Sequence, residues 1–243
     1  MLSRAVALTA VIALFGPALV VSRPPARAPL PGRMLWAWER PVDLRGLPSD
    51  TGVAFLAQTV TITPASHLIV RRRQPLFVDP STPVVAVTRI EAPADGPPDL
   101  KPIAAGIAAT IHLPHVTGIQ IDFDARSSQR AMYRRLLHDV RAALPPHTPL
   151  AMTALASWCL DDNWLDELPV DEVIPMLFQM GAASEAIRQA WPARSPAPRC
   201  RDAIGVSLGE PVVPGRKGRR TYVFNPGPWT TATVTTAIDT TKQ

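Results

Sequence analysis

The chain has 243 residues, 47% hydrophobic and 19% charged, which is enough to bury a large core and too apolar for a disordered chain. The 28 prolines have no Gly-x-y period around them, so collagen is excluded, and two cysteines exclude a disulfide scaffold and a four-cysteine zinc site. The formal net charge of +5 comes from local clusters at residues 71–73 and 216–220. These lack interleaved aromatics, so solvated loops and no nucleic-acid partner are expected.

Residues 1–22 read MLSRAVALTAVIALFGPALVVS. Arg4 precedes an apolar stretch that Gly16 and Pro17 break late, the pattern of a signal peptide, with an uncleaved N-terminal membrane anchor as the alternative. Either reading predicts an exported protein, periplasmic or secreted. Residues 23–32 are a Pro-rich, extended linker.

Eight short apolar runs rich in branched residues follow, at 34–38, 53–60, 84–90, 118–123, 150–155, 172–178, 203–208 and 221–224. Near-continuous apolar runs suit parallel strands covered by helices. Two connections have helical spacing, 99–110 and 127–144, the second with Ser127 or Ser128 as N-cap and Pro145-Pro146 as the stop. Other crossovers are reduced. Residues 162–168 hold one or two turns, 209–220 show no helix, and 61–79 read as a hairpin insertion. The expected fold is α/β, a (β/α)8 TIM barrel over 33–230 with several reduced or missing helices. An open α/β sheet is the alternative. Residues 231–243 form a Thr-rich tail whose composition disfavours an isolated helix.

A barrel's active site sits where its strands end. The ends here carry Trp36 and Trp38, Gln58, Arg89 and Glu91, Gln120, Asp122 and Asp124, Ser157 and Trp158, Gln179, Glu210, and Asn225 with Trp229. Indoles stack on sugar rings, and carboxylates and amides bind hydroxyls. The run Gly118-Ile119-Gln120-Ile121-Asp122-Phe123-Asp124 is distinctive, because alternation puts Gln120, Asp122 and Asp124 on one face. Two carboxylates roughly 7 Å apart along a strand, partly desolvated, do not ionise equally, and one holds a proton as a general acid does. The purely structural alternative is an Asp124 salt bridge to Arg89 or Arg126.

This strand resembles the Asp-Gly-x-Asp-x-Asp-x-Glu signature of the chitinase-like glycoside hydrolases. Gly118 matches the glycine, Asp122 the last Asp, and Asp124 stands where that family has its acid Glu, while Thr117 and Gln120 replace the first two Asp residues. Met176-Leu177-Phe178-Gln179 lies where that family has Met-x-Tyr-Asp, and Trp229 matches a Trp near the eighth strand. The segments WAWERP, FLAQT, IDFDAR, MTALASWC, PMLFQMG and YVFNP also resemble an uncharacterised family of exported bacterial proteins grouped with the glycosidase barrels. The resemblance implies the barrel and a pocket. Asp124 in place of the Glu, Phe178 without the Tyr hydroxyl and Gln179 in place of the Asp that follows it argue against acetamido-assisted catalysis.

A two-carboxylate mechanism needs a partner about 5–5.5 Å from the acid for retention or 6.5–9.5 Å for inversion. Glu91 and Glu210 are the candidates. The expected function is a glycoside-hydrolase-like barrel acting on or binding a polysaccharide, with Asp124 as general acid, Asp122 beside it, and Gln120, Glu91, Trp36, Trp38, Trp158, Gln179, Glu210, Asn225 and Trp229 binding substrate. The alternatives are a non-catalytic glycan- or envelope-binding barrel and a hard cation held at Asp122 and Asp124. No cofactor or resident metal is expected, since no His-Glu-x-x-His exists and Pro114 separates His112 from His115. Cys159 follows the fifth strand and Cys200 precedes the seventh, opposite ends of a barrel, so two separate thiols are expected rather than a disulfide.

Overall fold

The computed structural model describes residues 30–93, 99–212 and 218–241. The expected signal or anchor segment, most of the linker and residues 216–217 of the second basic cluster lie outside them.

In chain order come β1 (Arg33–Ala37), β2 (Val42–Asp43), β3 (Thr51–Ile62), β4 (His67–Arg71), β5 (Leu76–Phe77) and β6 (Val84–Glu91). Then α1 (Lys101–Ala108), β7 (Val116–Asp122), α2 (Arg130–Ala143), β8 (Leu150–Leu155), α3 (Ala156–Asp161), β9 (Glu172–Met176), α4 (Ser184–Ala193), β10 (Ala203–Ser207), β11 (Arg220–Phe224) and α5 (Thr231–Thr240). Strands β1, β3, β6, β7, β8, β9, β10 and β11 pair in parallel in that order, and β11 pairs back onto β1. Leu35 of β1 sits between Val53 and Val223, which closes the ring. This is a closed eight-stranded parallel barrel, a TIM-barrel-like fold with few helices.

Alternation along each strand divides the core in two. Met34, Trp36, Ala54, Val85, Val87 and Ile174 fill the barrel interior. Leu35, Val53, Ala86, Ile119 and Ile121 face outward, where Ile103 and Ile107 of α1 and Leu136, Leu137 and Val140 of α2 cover them. Each of the fully buried Leu and Ile side chains contributes roughly 1.5–3 kcal/mol by leaving water.

The first two crossovers carry no helix. The long strand β3 runs past the barrel and pairs antiparallel with β4, the expected hairpin insertion, and β2 pairs with β5 beside it. A register shift between Leu56 and Gln58 turns Gln58 out of the mouth; its Nε2 donates to Thr88 Oγ1 and Gly106 O, both at 3.2 Å.

Four local expectations change. The short helix after β8 starts at once, at Ala156, and residues 162–168 are turns instead. Helix α2 is entered through a 3-10 turn at Ser127–Gln129, and Gln129 Oε1 accepts the Arg126 N–H at 3.0 Å, so neither serine is the cap. The Thr-rich segment forms α5. Thr230 and Thr233 cap each other's backbone N–H, the hydroxyls of Thr235, Thr236 and Thr240 donate to carbonyls four residues back, and Ala237 is fully buried. Tertiary packing and capping outweigh the poor intrinsic propensity.

The fourth change is the disulfide. Cys159 and Cys200 are bonded, with Cα atoms 6.0 Å apart. After α4 the chain turns extended at Arg194, and Ala197 donates its N–H to Cys159 O at 2.8 Å. This return alongside α3 brings together cysteines that strand order alone assigns to opposite ends.

The base of the barrel is closed by the incoming chain. Arg220 donates to Pro31 O at 2.7 Å and Leu30 O at 2.9 Å and pairs with Glu172, which also accepts the Tyr222 hydroxyl at 2.7 Å. Burial pushes the Glu172 carboxyl above its ordinary range, with Arg220 and Tyr222 opposing.

Candidate active site

The strand ends surround a cavity of about 540 Å³ at the mouth of the barrel. Gln120, Asp122 and Asp124 all line it, as the alternation of β7 predicts. The three differ in environment.

Asp122 is the last residue of β7 and only 5% exposed. Arg89, its register neighbour on β6, donates from Nη1 to Oδ2 at 2.9 Å, and Thr153 on β8 donates its hydroxyl to Oδ1 at 2.8 Å. Both Asp122 oxygens are therefore occupied by protein donors, which leaves a cation little to coordinate. Asp124 is exposed and lies two residues farther out. It makes no hydrogen bond or ion pair with any described residue, since Arg89 takes Asp122 and the Arg126 guanidinium donates to Pro93 O. The structural alternative of an Asp124 salt bridge is not what the side chains form. Partial burial in the mouth, and then the Asp122 charge, raise the Asp124 carboxyl above its ordinary range, and Arg89 pulls the other way.

Gln120 is fully buried on the cavity floor. The Trp36 indole donates to its Oε1 at 3.2 Å. An indole N–H can only donate, so this bond fixes which end of the amide is which. The Nε2 end has no partner among the described residues.

Aromatic side chains make the walls. Phe178 and Phe224 are stacked with centroids 5.4 Å apart, Trp38 stands edge-on to Phe224 at 6.2 Å, and Trp36 lies 6.0 Å from Phe178. Gly205 makes room for them, because a Cβ there would come within 3.0 Å of Trp36 Cη2.

Gln179 lines the mouth in a left-handed conformation, φ 51°. The Glu210 carboxylate accepts its N–H at 3.2 Å, and Arg188 pairs with Glu210 at 2.9 Å. Glu210 thus holds this strained turn from behind and does not line the cavity. Glu91 also lies outside it, more than half exposed and 3.6 Å from Arg89 Nε. Three further residues expected at the site sit elsewhere. Trp158 packs in the outer core, edge-on to Trp164 at 4.8 Å. Asn225 closes its own turn through Pro228 O and the Gly227 N–H. Trp229 is buried and supports β1 by donating its indole N–H to Trp36 O at 2.8 Å. Thr153, Phe178 and Phe224 are among the lining residues that the sequence expectation did not assign to substrate; each is an inward position, two residues from another, on a run already read as a strand.

Among the described residues no group of three or more His, Cys, Asp or Glu could hold a metal ion. His112 and His115 stand before β7, at the other end of that strand from the mouth.

No family model and no curated protein matches the chain. Among solved structures it is similar to the chitinase domain of the spore coat protein CotE from Clostridium difficile, at 13% identity and a TM-score of 0.45, over 86% of this chain and 68% of that one. At that identity and score the likeness carries no statement about activity. The barrel rests on its own strand pairing.

Proposed function

We propose that this is a glycoside-hydrolase-like barrel that works on polysaccharide outside the cytoplasm, with Asp124 as its general acid. The observation that carries the reading is the asymmetry of the two Asp residues. Asp122 is bound by Arg89 and Thr153, whereas Asp124 faces the cavity without a partner among the described residues and is shifted toward holding its proton. A general acid needs a carboxyl free of other partners and with a raised proton affinity. The faces of Trp38 and Phe224 suit sugar rings, and Gln120 and Gln179 suit hydroxyls. The Cys159–Cys200 disulfide and the apolar segment 1–22 support an oxidising, exported location.

One observation favours a second reading, binding without turnover. Glu91 pairs with Arg89 and Glu210 with Arg188, so neither presents a carboxylate across the cavity from Asp124. The test is release of reducing ends from a panel of oligosaccharides. Asp124→Asn is expected to lose at least about two orders of magnitude in rate while binding survives, since the amide keeps the shape. An Asp124→Asn protein of undiminished rate overturns the acid assignment. A wild type that binds glycan and turns over none establishes the second reading.

A further inference from the structure

We infer that the mouth is a blind well that takes the end of a glycan chain and not its middle, with Gln120 Nε2 donating to an oxygen of the terminal sugar. This rests on the carbohydrate reading above and names which part of a polysaccharide the site accepts.

The shape comes first. Six of the eight barrel strands line one cavity, through Trp36, Arg89, Asp122, Thr153, Met176 and Phe224. Past β9 the wall continues upward, because Ile187 of α4 lines it as well. Beneath, Met34, Ala54, Val85 and Ile174 are packed together at no more than 1% exposure and close the floor.

Gln120 and Asp124 mark two levels of this cavity. Gln120 is fully buried on the floor and Asp124 is exposed at the rim. The four residues from one to the other make roughly 13 Å of extended chain, or about 10 Å of depth at the usual barrel-strand tilt of about 36°. A sugar on the floor therefore lies well below the rim, and the rest of its chain leaves by the mouth. An internal sugar has chain on both sides and would have to double back through the same opening. A terminal sugar has chain on one side only.

Gln120 is the second and independent observation, because it shows that the floor lacks a ligand atom. Its Oε1 accepts from the Trp36 indole at 3.2 Å, and its buried Nε2 has no acceptor among the described residues. The other polar groups at depth, Thr153 and Asp122, are bound to each other and to Arg89. A buried donor without an acceptor costs roughly 1–3 kcal/mol, and this one lines the cavity. A terminal sugar brings what is missing, since each hydroxyl oxygen can accept. With Asp124 as general acid at the upper level, the cut falls at a fixed height above the floor. Each turnover breaks one glycosidic C–O bond, adds one water and releases the inserted end, so the products share one length.

The experiment uses cellohexaose, maltohexaose and the N-acetylglucosamine hexamer. Each is offered free, capped at the reducing end with an aminobenzamide label, or capped at the non-reducing end with a benzylidene acetal. Binding is read by calorimetry on the wild type and on Asp124→Asn, in which hydrolysis does not blur the titration. For every hexamer that binds, one of the two caps is expected to weaken it at least about tenfold, because a bulky end clashes in the well, and the other cap is tolerated. Where the wild type turns over a free hexamer, a single product length is expected from the first time points. Gln120→Met, its fold verified by circular dichroism, is expected to weaken the free and tolerated hexamers about three- to tenfold, the worth of one hydrogen bond, and to leave the blocked one unchanged. The cap comparison needs no change at Gln120, so it decides the matter even if that variant does not fold. Both caps tolerated, both caps blocking equally, or early products of mixed length overturns the inference and leaves the carbohydrate reading standing. A folded Gln120→Met protein that binds every hexamer as the wild type does assigns Nε2 to a resident water and overturns the contact to the terminal sugar. Binding of no hexamer at all overturns both the inference and the function it rests on.

Discussion

Opening the Cys159–Cys200 bond is expected to be the most damaging single change outside the mouth. The bond spans 41 positions, and the closed loop contains β9 and α4, hence Phe178, Gln179 and Arg188 of the mouth wall and its support. A loop of about 40 residues gives a chain-entropy contribution of about 4 kcal/mol at 25 °C. For a chain of this size each kcal/mol moves Tm by about 2–4 °C, so the shift is about 8–16 °C. The measurement is thermal unfolding of the wild type with and without reductant, beside Cys159→Ala/Cys200→Ala. Reductant deletes no atoms and reads the cross-link alone. The double variant adds whatever packing two buried sulfurs supply, since both cysteines are at most 2% exposed. A fully reduced wild type that melts within about 2 °C of the oxidised one would refute the loop argument. It would mean that the hydrogen bond from Ala197 to Cys159 and the contacts around it already restrict the unfolded chain or suffice in the folded one.

Three further outcomes follow from the site. Asp122→Asn is expected to cost about 1–2 kcal/mol by denaturant unfolding, less than the roughly 3–5 of a fully buried pair, because the Arg89 side chain is 39% exposed and water can answer it. Gly205→Ala is expected to cost about 1–3 kcal/mol by overpacking and to shift the Trp fluorescence, because the new methyl meets Trp36 at 3.0 Å. Asp124→Asn is expected to melt slightly higher than wild type at pH 7 and equally at pH 3. Folding raises this carboxyl's pKa above 3.8, so its ionisation costs stability fully above the folded value and not at all below the unfolded one. Exposure limits the gain to about 0.5 kcal/mol, and a lower melting point at pH 7 would mean that Asp124 has a stabilising partner.

The barrel was legible because a strand buried on both faces reads as a near-continuous apolar run, and each of the eight runs is one. The face of β7 was legible for the same geometric reason, since a period of two is independent of what surrounds it. Beyond the last residue of a strand alternation holds at Asp124 but not at every strand end. Helix α3 begins at Ala156, so Trp158 advances by helical rotation and enters the outer core where a strand would have turned it elsewhere. Asn225 and Trp229 lie beyond β11, where turn geometry decides direction. Gln58 is displaced by the irregularity at Leu56, for which the sequence has no marker. The disulfide depended on the path of residues 194–197, which no local pattern describes. Arg89 paired with Asp122 was within reach, because aligning the ends of neighbouring parallel strands makes them register partners.

The clamp of Arg220 on Leu30 and Pro31 fixes the point at which the chain joins the barrel, and that point is the end away from the mouth. Whatever is attached ahead of residue 30, a bead, a fluorescent carrier or a lipid surface, pulls on the base and holds the opening outward. Immobilisation through this end therefore leaves a long polymer free to reach the mouth, and so does a tag placed after α5, because Thr241 meets Arg33 at the start of β1, on the same base.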